Sequence, residues 1–404
     1  MKIRTTILLT VAFAGFLASS FGQTVTWNGT TSNWATTTNW SSGALPTSSE
    51  TVLFSDSGTT GSVSLSANRT VGGFSMTRNS SVVIITMNPD NLTVNGNLTT
   101  LAGSQNLTFR NGGFLSVGGN MTVASQVLFG SRGNSGLNAL IGGVSVAGTT
   151  SLSSTLEFTN FSTTVNLGAL ATSTGAILNL TSGTSPNGTI DGNTNLITVT
   201  SLSGTAGTIQ ANKAGTTGHL SVSGTSNGTY GGTIVNGLGT VQLTKSGNSA
   251  LTLSGNNTYT GATTVTAGTL ILSGSGNFAS ATLGFGVTNS SSGILQVENA
   301  AFAFTGTMNL TLSTVSASSG SWNLFSGSAF GSGDISLAGL TSDIIGLNFI
   351  ETANVWSGAF SGRTWTFTEA TGQLSVVPEP STWVLLALGL TALVVFRRRI
   401  QHRQ

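Results

Sequence analysis

Residues 230–247, YGGTIVNGLGTVQLTKSG, and residues 259–276, YTGATTVTAGTLILSGSG, align without a gap at an offset of 29. Each opens on one of the two tyrosines of the chain, passes through Gly and Gly-Thr, and ends in Val, Leu or Ile alternating with Thr, Ser or Gln. Alternation with a period of two is the mark of a strand with one buried face. A second register runs nearer the N-terminus. It starts V-G-G-F-S-M at Val71, V-N-G-N-L-T at Val94, V-G-G-N-M-T at Val117, and continues from Ile141, Val165 and Ile190, at spacings of 23, 23, 24, 24 and 25. A unit of this size holds two or three short strands and cannot bury its own apolar row. Stacking units at ~4.8 Å per coil gives a continuous core and pairs every strand with those above and below. The pattern predicts an all-β chain, a parallel β-helix (β-solenoid). The rival, a row of antiparallel sandwich modules, would show turns every ~8–12 residues.

Composition fits the stack. Of 404 residues 55 are Gly, 5 are Pro, 6% are charged, 38% are hydrophobic and none is Cys. Equivalent turn positions in successive coils lie one strand spacing apart, so a repeated Lys or Glu would pile like charges, whereas Asn, Ser and Thr form hydrogen-bonded ladders. Without cysteine, packing and hydrogen bonds alone must hold an exported fold. Six of the thirteen basic residues lie at the ends: Lys2 and Arg4, then Arg397, Arg398, Arg399 and Arg403. The body between keeps seven basic against ten acidic residues and has no basic stripe, which argues against nucleic acid as a partner.

The two ends read differently from the middle. Residues 1–22 have a basic start, an apolar run from Ile7 to Leu17 and small residues at Ser20 and Gly22, the pattern of a secretory signal peptide cut before Gln23. That implies the Sec export machinery and a signal peptidase as partners. All seven tryptophans lie outside the repeats. We expect an N-terminal cap over 23–70, solenoid repeats over 71–300, a C-terminal β region over 301–376 finishing in a hairpin from Arg363, and a tail over 377–404. Trp27, Trp34 and Trp40 are cap residues on this reading; the alternative is that they offer exposed ring faces for stacking against sugars.

In the tail, Val377-Pro378-Glu379-Pro380 precedes fourteen uncharged residues, 383–396, and then Arg397, Arg398 and Arg399. The expectation is a single C-terminal transmembrane helix over 381–396, short for a bilayer but extended by snorkelling arginines, with the arginines in the cytoplasm and the body outside. The two prolines predict an extended, accessible segment ahead of it.

Two resemblances follow from these residues. Residues 251–276, LTLSGNNTYTGATTVTAGTLILSGSG, with VQLTKSG at 241–247 before them, resemble the autotransporter-associated β-strand repeat. That resemblance implies a β-helical surface or secreted protein, although the alternating strands of a membrane barrel are not legible at the C-terminal end. The tripeptide Pro378, Glu379, Pro380 with its apolar run and arginine cluster resembles the PEP-CTERM sorting signal of Gram-negative bacteria that make extracellular polysaccharide. It implies a membrane-embedded exosortase-type enzyme that recognises the tripeptide and processes the tail.

Chemistry is sparse. Residues 224–228 match G-x-S-x-G, but with only His219 and His402 in the chain Ser226 reads as a coil corner and His219 as a solvated turn residue. Asp191, Asn193 and Asn195 start like a calcium loop whose later ligand positions are leucines, Leu196 and Leu202. The ten body acids are dispersed; a solenoid is able to bring Asp334 and Asp343 together as glycan hydrolysis requires, but nothing in the sequence indicates that it does. Sequons such as Asn91, Asn97, Asn106 and Asn120 read as packing ladders. No catalytic residue, metal or cofactor is expected. The expected function is a non-catalytic exported surface or matrix protein, structural or adhesive. The alternatives are a carbohydrate-binding module for exopolysaccharide and a polysaccharide-degrading β-helix enzyme.

Overall fold

The computed structural model describes residues 22–58, 61–87, 89–130, 143–158, 165–174, 176–180, 196–274, 280–298, 302–379 and 391. Three short segments make a coil. Leu92–Val94, Leu98–Thr100 and Leu107–Arg110 form one, and Phe114–Val117, Met121–Val123 and Val127–Phe129 form the next. Each segment pairs in parallel with its counterpart one coil away, as in Leu92↔Leu115, Leu98↔Met121 and Leu107↔Val127. Repetition gives three long sheets of thirteen, twelve and eight strands, so the chain is a parallel β-solenoid. Thirteen strands at ~4.8 Å make a rod about 58 Å long. The antiparallel-module rival is excluded by this pairing.

The core follows from the alternation. In Leu92, Leu115, Val144 and Val165, and in Thr100, Val123 and Leu152, the inward residues are buried column by column. A file of rings runs up the interior: Phe109–Phe129 centroids lie 5.3 Å apart and Phe129–Phe158 5.0 Å, stacked with nearly parallel planes in each case. The corner after the twelve-stranded face is closed by glycine. A Cβ on Gly96 would stand 2.5 Å from the carbonyl oxygen of Gly72, and one on Gly148 2.8 Å from that of Gly119. Beside the glycines, Asn97 Oδ1 accepts from the N–H of Asn120 and Asn120 Oδ1 from that of Thr149, both at 2.9 Å. Asn91 Oδ1 does the same for Phe114 at another corner (2.8 Å). Asn91, Asn97 and Asn120 are therefore ladder residues, each satisfying a backbone donor of the coil above.

The sequence registers hold only in part. Val71↔Val94 and Val94↔Val117 pair at 23 residues as expected. Val117 then pairs with Val146 and Val165 with Ile197, rather than with Ile141 and Ile190, which lie outside the described residues. The spacing there is 29 from Val117 to Val146 and 32 from Val165 to Ile197, so coil length is not constant along the rod. The offset of 29 is not a coil either: Tyr230 pairs with Leu253, and Leu253 with Leu272. The two tyrosines are nonetheless both buried. Tyr230 donates to the carbonyls of Gly207 and Thr233, at 3.1 and 3.3 Å, and Tyr259 Oη lies 2.8 Å from Thr263 Oγ1. Between them the coil changes shape. The eight-stranded sheet ends at Thr233–Gly237, and above it only an irregular corner continues, with Thr258 N–H on Ile234 O and Ile234 N–H on Asn257 Oδ1.

The ladder begins at Thr24–Thr26, which pairs with Thr51–Phe54, so coiling starts inside the segment expected to be cap. Residues between those strands cover the end. Trp27 and Trp40 meet edge to face at 4.8 Å, Trp34 and Trp40 at 4.7 Å, and all three pack on Phe54. Residues 32–34 bond to Ser64, closing the edge of the eight-stranded sheet. Asn39, buried, donates to Thr31 and Asn33 to fix the loop.

At the other end a five-stranded antiparallel sheet, Gly320–Asn323, Ile350–Thr352, Val355–Phe360, Arg363–Thr368 and Gln373–Pro378, leans on the last coils. Trp322 stacks on Trp365 at 6.1 Å, and the buried Glu369 carboxylate accepts from Leu337 N–H and from Trp356 Nε1. The hairpin expected from Arg363 is present as Arg363–Thr368 against Gln373–Pro378. Of the helix expected over 381–396 only Thr391 is among the described residues, and it is helical; the rest lies outside them. Among those described, no helix is long and apolar enough to cross a membrane.

Candidate functional site

Outward residues of a solenoid strand form columns just as inward ones do. On the twelve-stranded face one column starts Thr70, Thr93, Ser116, Ser145. It continues Asn166, Thr198, Ser221, Thr244 and finishes Thr264, Gly284, Asn309, Thr341. Every side chain in it is small and uncharged, nine are hydroxyls, and successive members are separated by one coil. The thirteen-stranded face has a partner column, Ser75, Thr99, Thr122, Ser151, Ala171 and Ser203. A shallow groove of about 180 Å³ lies on it, lined by Thr122, Ser151, Ser153, Thr172 and Ser173 with Leu152 and Ala171. These columns offer hydroxyl donors and acceptors at a regular pitch of ~4.8 Å, without charge and without an acid–base pair. Sequence reasoning missed them as a site because single Thr and Ser residues between apolar ones signal only a strand; their continuity needs the true coil register.

His219 lies on the same face, in strand Thr217–Val222, not in a solvated turn. Its Nε2 is 2.8 Å from Thr244 Oγ1, and burial holds its imidazole below the ordinary range, so it is neutral at neutral pH. Ser226 is an exposed corner residue, and its neighbour Asn227 accepts from Ala250 N–H at 2.8 Å. Asp334 accepts from Gly331 N–H at 2.7 Å. Burial pushes the Asp343 carboxyl up, but the hydroxyl of Ser313 and the N–H groups of Leu312 and Ser313 outweigh it and hold the group below the usual carboxylate range. Each acid has a local structural duty. Asp191, Asn193 and Asn195 lie outside the described residues, and among those described no cluster of His, Asp or Glu has the make-up of a metal site.

The sugar-stacking alternative for Trp27, Trp34 and Trp40 is corrected here. All three are buried, at 0, 0 and 2% exposure, with their faces against one another and Phe54, so none presents a ring to a ligand.

Of the sorting residues, Pro378 and Glu379 are described and exposed; Pro380, Arg397, Arg398 and Arg399 are not among the described residues. Pro378 closes the strand Gln373–Pro378 opposite Arg363, and the Glu379 N–H donates to Gly362 O at 2.9 Å. The segment is thus extended, as the prolines predict, but it is paired.

A parallel β-solenoid with neutral hydroxyl faces and a paired, proline-bounded C-terminal strand is the class defined by this geometry. Comparison with known proteins adds two matches: residues 243–278 match the passenger-associated-transport-repeat, and residues 376–399 match the PEP-CTERM protein-sorting motif. The first spans the place where the coil loses its third sheet; the second spans the end of the last strand and the tail. Both resemblances seen in the sequence are therefore upheld. The sorting motif implies export, sorting to the cell surface and handling by exosortase-type machinery. No curated protein and no solved structure matches the chain.

Proposed function

We propose that this chain is a non-catalytic surface protein, a stiff neutral rod that adheres to extracellular polysaccharide through its hydroxyl-clad faces. Export through the Sec machinery and signal peptidase delivers the body outside. The C-terminal signal holds it at the membrane until exosortase-type processing passes it to the surface or matrix. The observation carrying this reading is the unbroken, uncharged column from Thr70 to Thr341. A neutral polymer of hydroxyls exchanges water hydrogen bonds for equivalent ones along such a face, each worth little, but many in register.

The test is retention of the purified protein on immobilised exopolysaccharide. Placing lysine at Thr93, Ser145 and Thr198, two coils or so apart and outward, should abolish retention while circular dichroism stays unchanged. Unchanged retention removes the face from the reading, and turnover of the polysaccharide removes the non-catalytic assignment.

A further inference from the structure

The last described strand enters the sorting tripeptide without a linker. Gln373–Pro378 is paired along its whole length with Arg363–Thr368, from Gln373↔Thr368 to Pro378↔Arg363, but with Gly320–Asn323 only as far as Val376. In an antiparallel sheet successive residues point their N–H groups to opposite neighbours. Glu379 donates toward Gly362, so Pro378 faces the other side, where the partner strand has ended and a missing N–H leaves no acceptor unpaired. The proline is accommodated within the pairing rather than breaking it.

The partner strand is anchored. Phe360 and Arg363 pair across a two-residue turn in which Ser361 and Gly362 have φ of 52° and 72°, the tight hairpin geometry whose twist suits a sheet. Arg363 Nη1 donates to the carbonyls of Val315 and Ala317, at 2.9 and 3.1 Å, and its guanidinium lies 5.6 Å from the centre of the Trp365 ring. Val376 is the last buried side chain among the described residues; Val377, Pro378 and Glu379 are exposed. Beyond Val376 the strand is therefore held by backbone pairing on one side and by no fully buried side chain among the described residues.

We infer that the processing enzyme meets the first two residues of its tripeptide as a zipped strand end, and that fraying of the Arg363–Pro378 and Gly362–Glu379 pairs sets the rate of processing. This rests on the sorting reading above. The chemistry it asks for is an extended peptide in an enzyme cleft, which a strand still bonded to Gly362 cannot enter. Because Arg363 is anchored to 315–317, Glu379 must leave the sheet rather than carry its partner along. Folding of the C-terminal sheet thus acts on the rate at which the body is released.

The test uses the full chain in cells with and without the processing enzyme, following the C-terminus by pulse-chase and mass spectrometry. A flexible four-residue Gly-Ser insertion between Val377 and Pro378 frees the tripeptide while leaving it and the sheet intact, and should accelerate processing about two- to tenfold, the equivalent of one backbone hydrogen bond. A Thr364→Cys, Val377→Cys staple across a directly paired position, in a chain with no other cysteine, should slow processing, with the rate restored by reductant. Equal rates for the insertion variant and the natural chain, both enzyme-dependent, overturn the inference and leave the sorting reading standing. A tail that stays intact with the enzyme present, in natural and inserted chains alike, overturns both.

Discussion

At the scale of single residues, the corners are the least forgiving positions. Gly168 and Gly103 both have positive φ, 61° and 81°, but a Cβ on Gly168 would lie 1.9 Å from Gly148 O whereas one on Gly103 meets nothing within 4 Å. Alanine at either site carries the left-handed penalty of about 1 kcal/mol. Gly168→Ala should lose a further ~1–3 kcal/mol, because the coil below cannot yield a backbone carbonyl. Urea unfolding midpoints of the two variants separate the contributions. His219 gives a second prediction. Its folded imidazole titrates below the ordinary 6.5 because burial disfavours the charge. Over the window between that lowered value and about 6.5 the unfolded chain binds more protons than the folded one. Stability therefore rises with pH up to about 6.5 and falls as pH drops below it. His219→Gln keeps a partner for Thr244 and should flatten that slope in thermal melts between pH 4.5 and 7.5.

At the scale of elements, the tryptophan plug does the work of a missing coil. Trp40 touches Trp27, Trp34 and Phe54 and donates its indole N–H to Trp34 O at 2.9 Å. Trp40→Ala should lower stability by about 3–5 kcal/mol. Loss of the plug also uncovers Thr24–Thr26 and Ser62–Ser64, edge strands that then pair with other copies. Size-exclusion chromatography should show oligomers in this variant and not in Trp356→Ala, whose ring is only partly buried. That the tryptophans serve the ends was legible from their absence in the repeats. Their burial was not, since a capping Trp and a sugar-stacking Trp look alike until neighbours such as Phe54 are placed.

At the scale of the whole molecule, strand alternation and Gly-Asn corners made the solenoid readable, and the 23-residue spacing from Val71 to Val117 was the true coil. The 29-residue match around Tyr230 and Tyr259 was not, because similar segments there occupy different faces: Thr240–Lys245 lies in the twelve-stranded sheet and Thr269–Leu272 in the thirteen-stranded one. Local alternation says which side of a strand is apolar, but corners of unequal length decide which coil it joins. The same blindness hid the hydroxyl columns, which appear only when Ser145 is set beside Asn166 and Asn166 beside Thr198.

The plug formed by Trp27, Trp34 and Trp40 sits on the part of the chain that a secretion channel would deliver first. Every later strand of the three long sheets is templated by one laid down about 20–30 residues earlier, as Val94 is by Val71 and Leu243 by Leu220. Folding then resembles the growth of a fibril from a seed, one turn per short length of polypeptide released, with no need for the far terminus to have arrived. A molecule assembled in this order exposes about one unfinished layer at a time, and the strand Gln373–Pro378, which ends on the first residue of the tripeptide, docks after the rod beneath it.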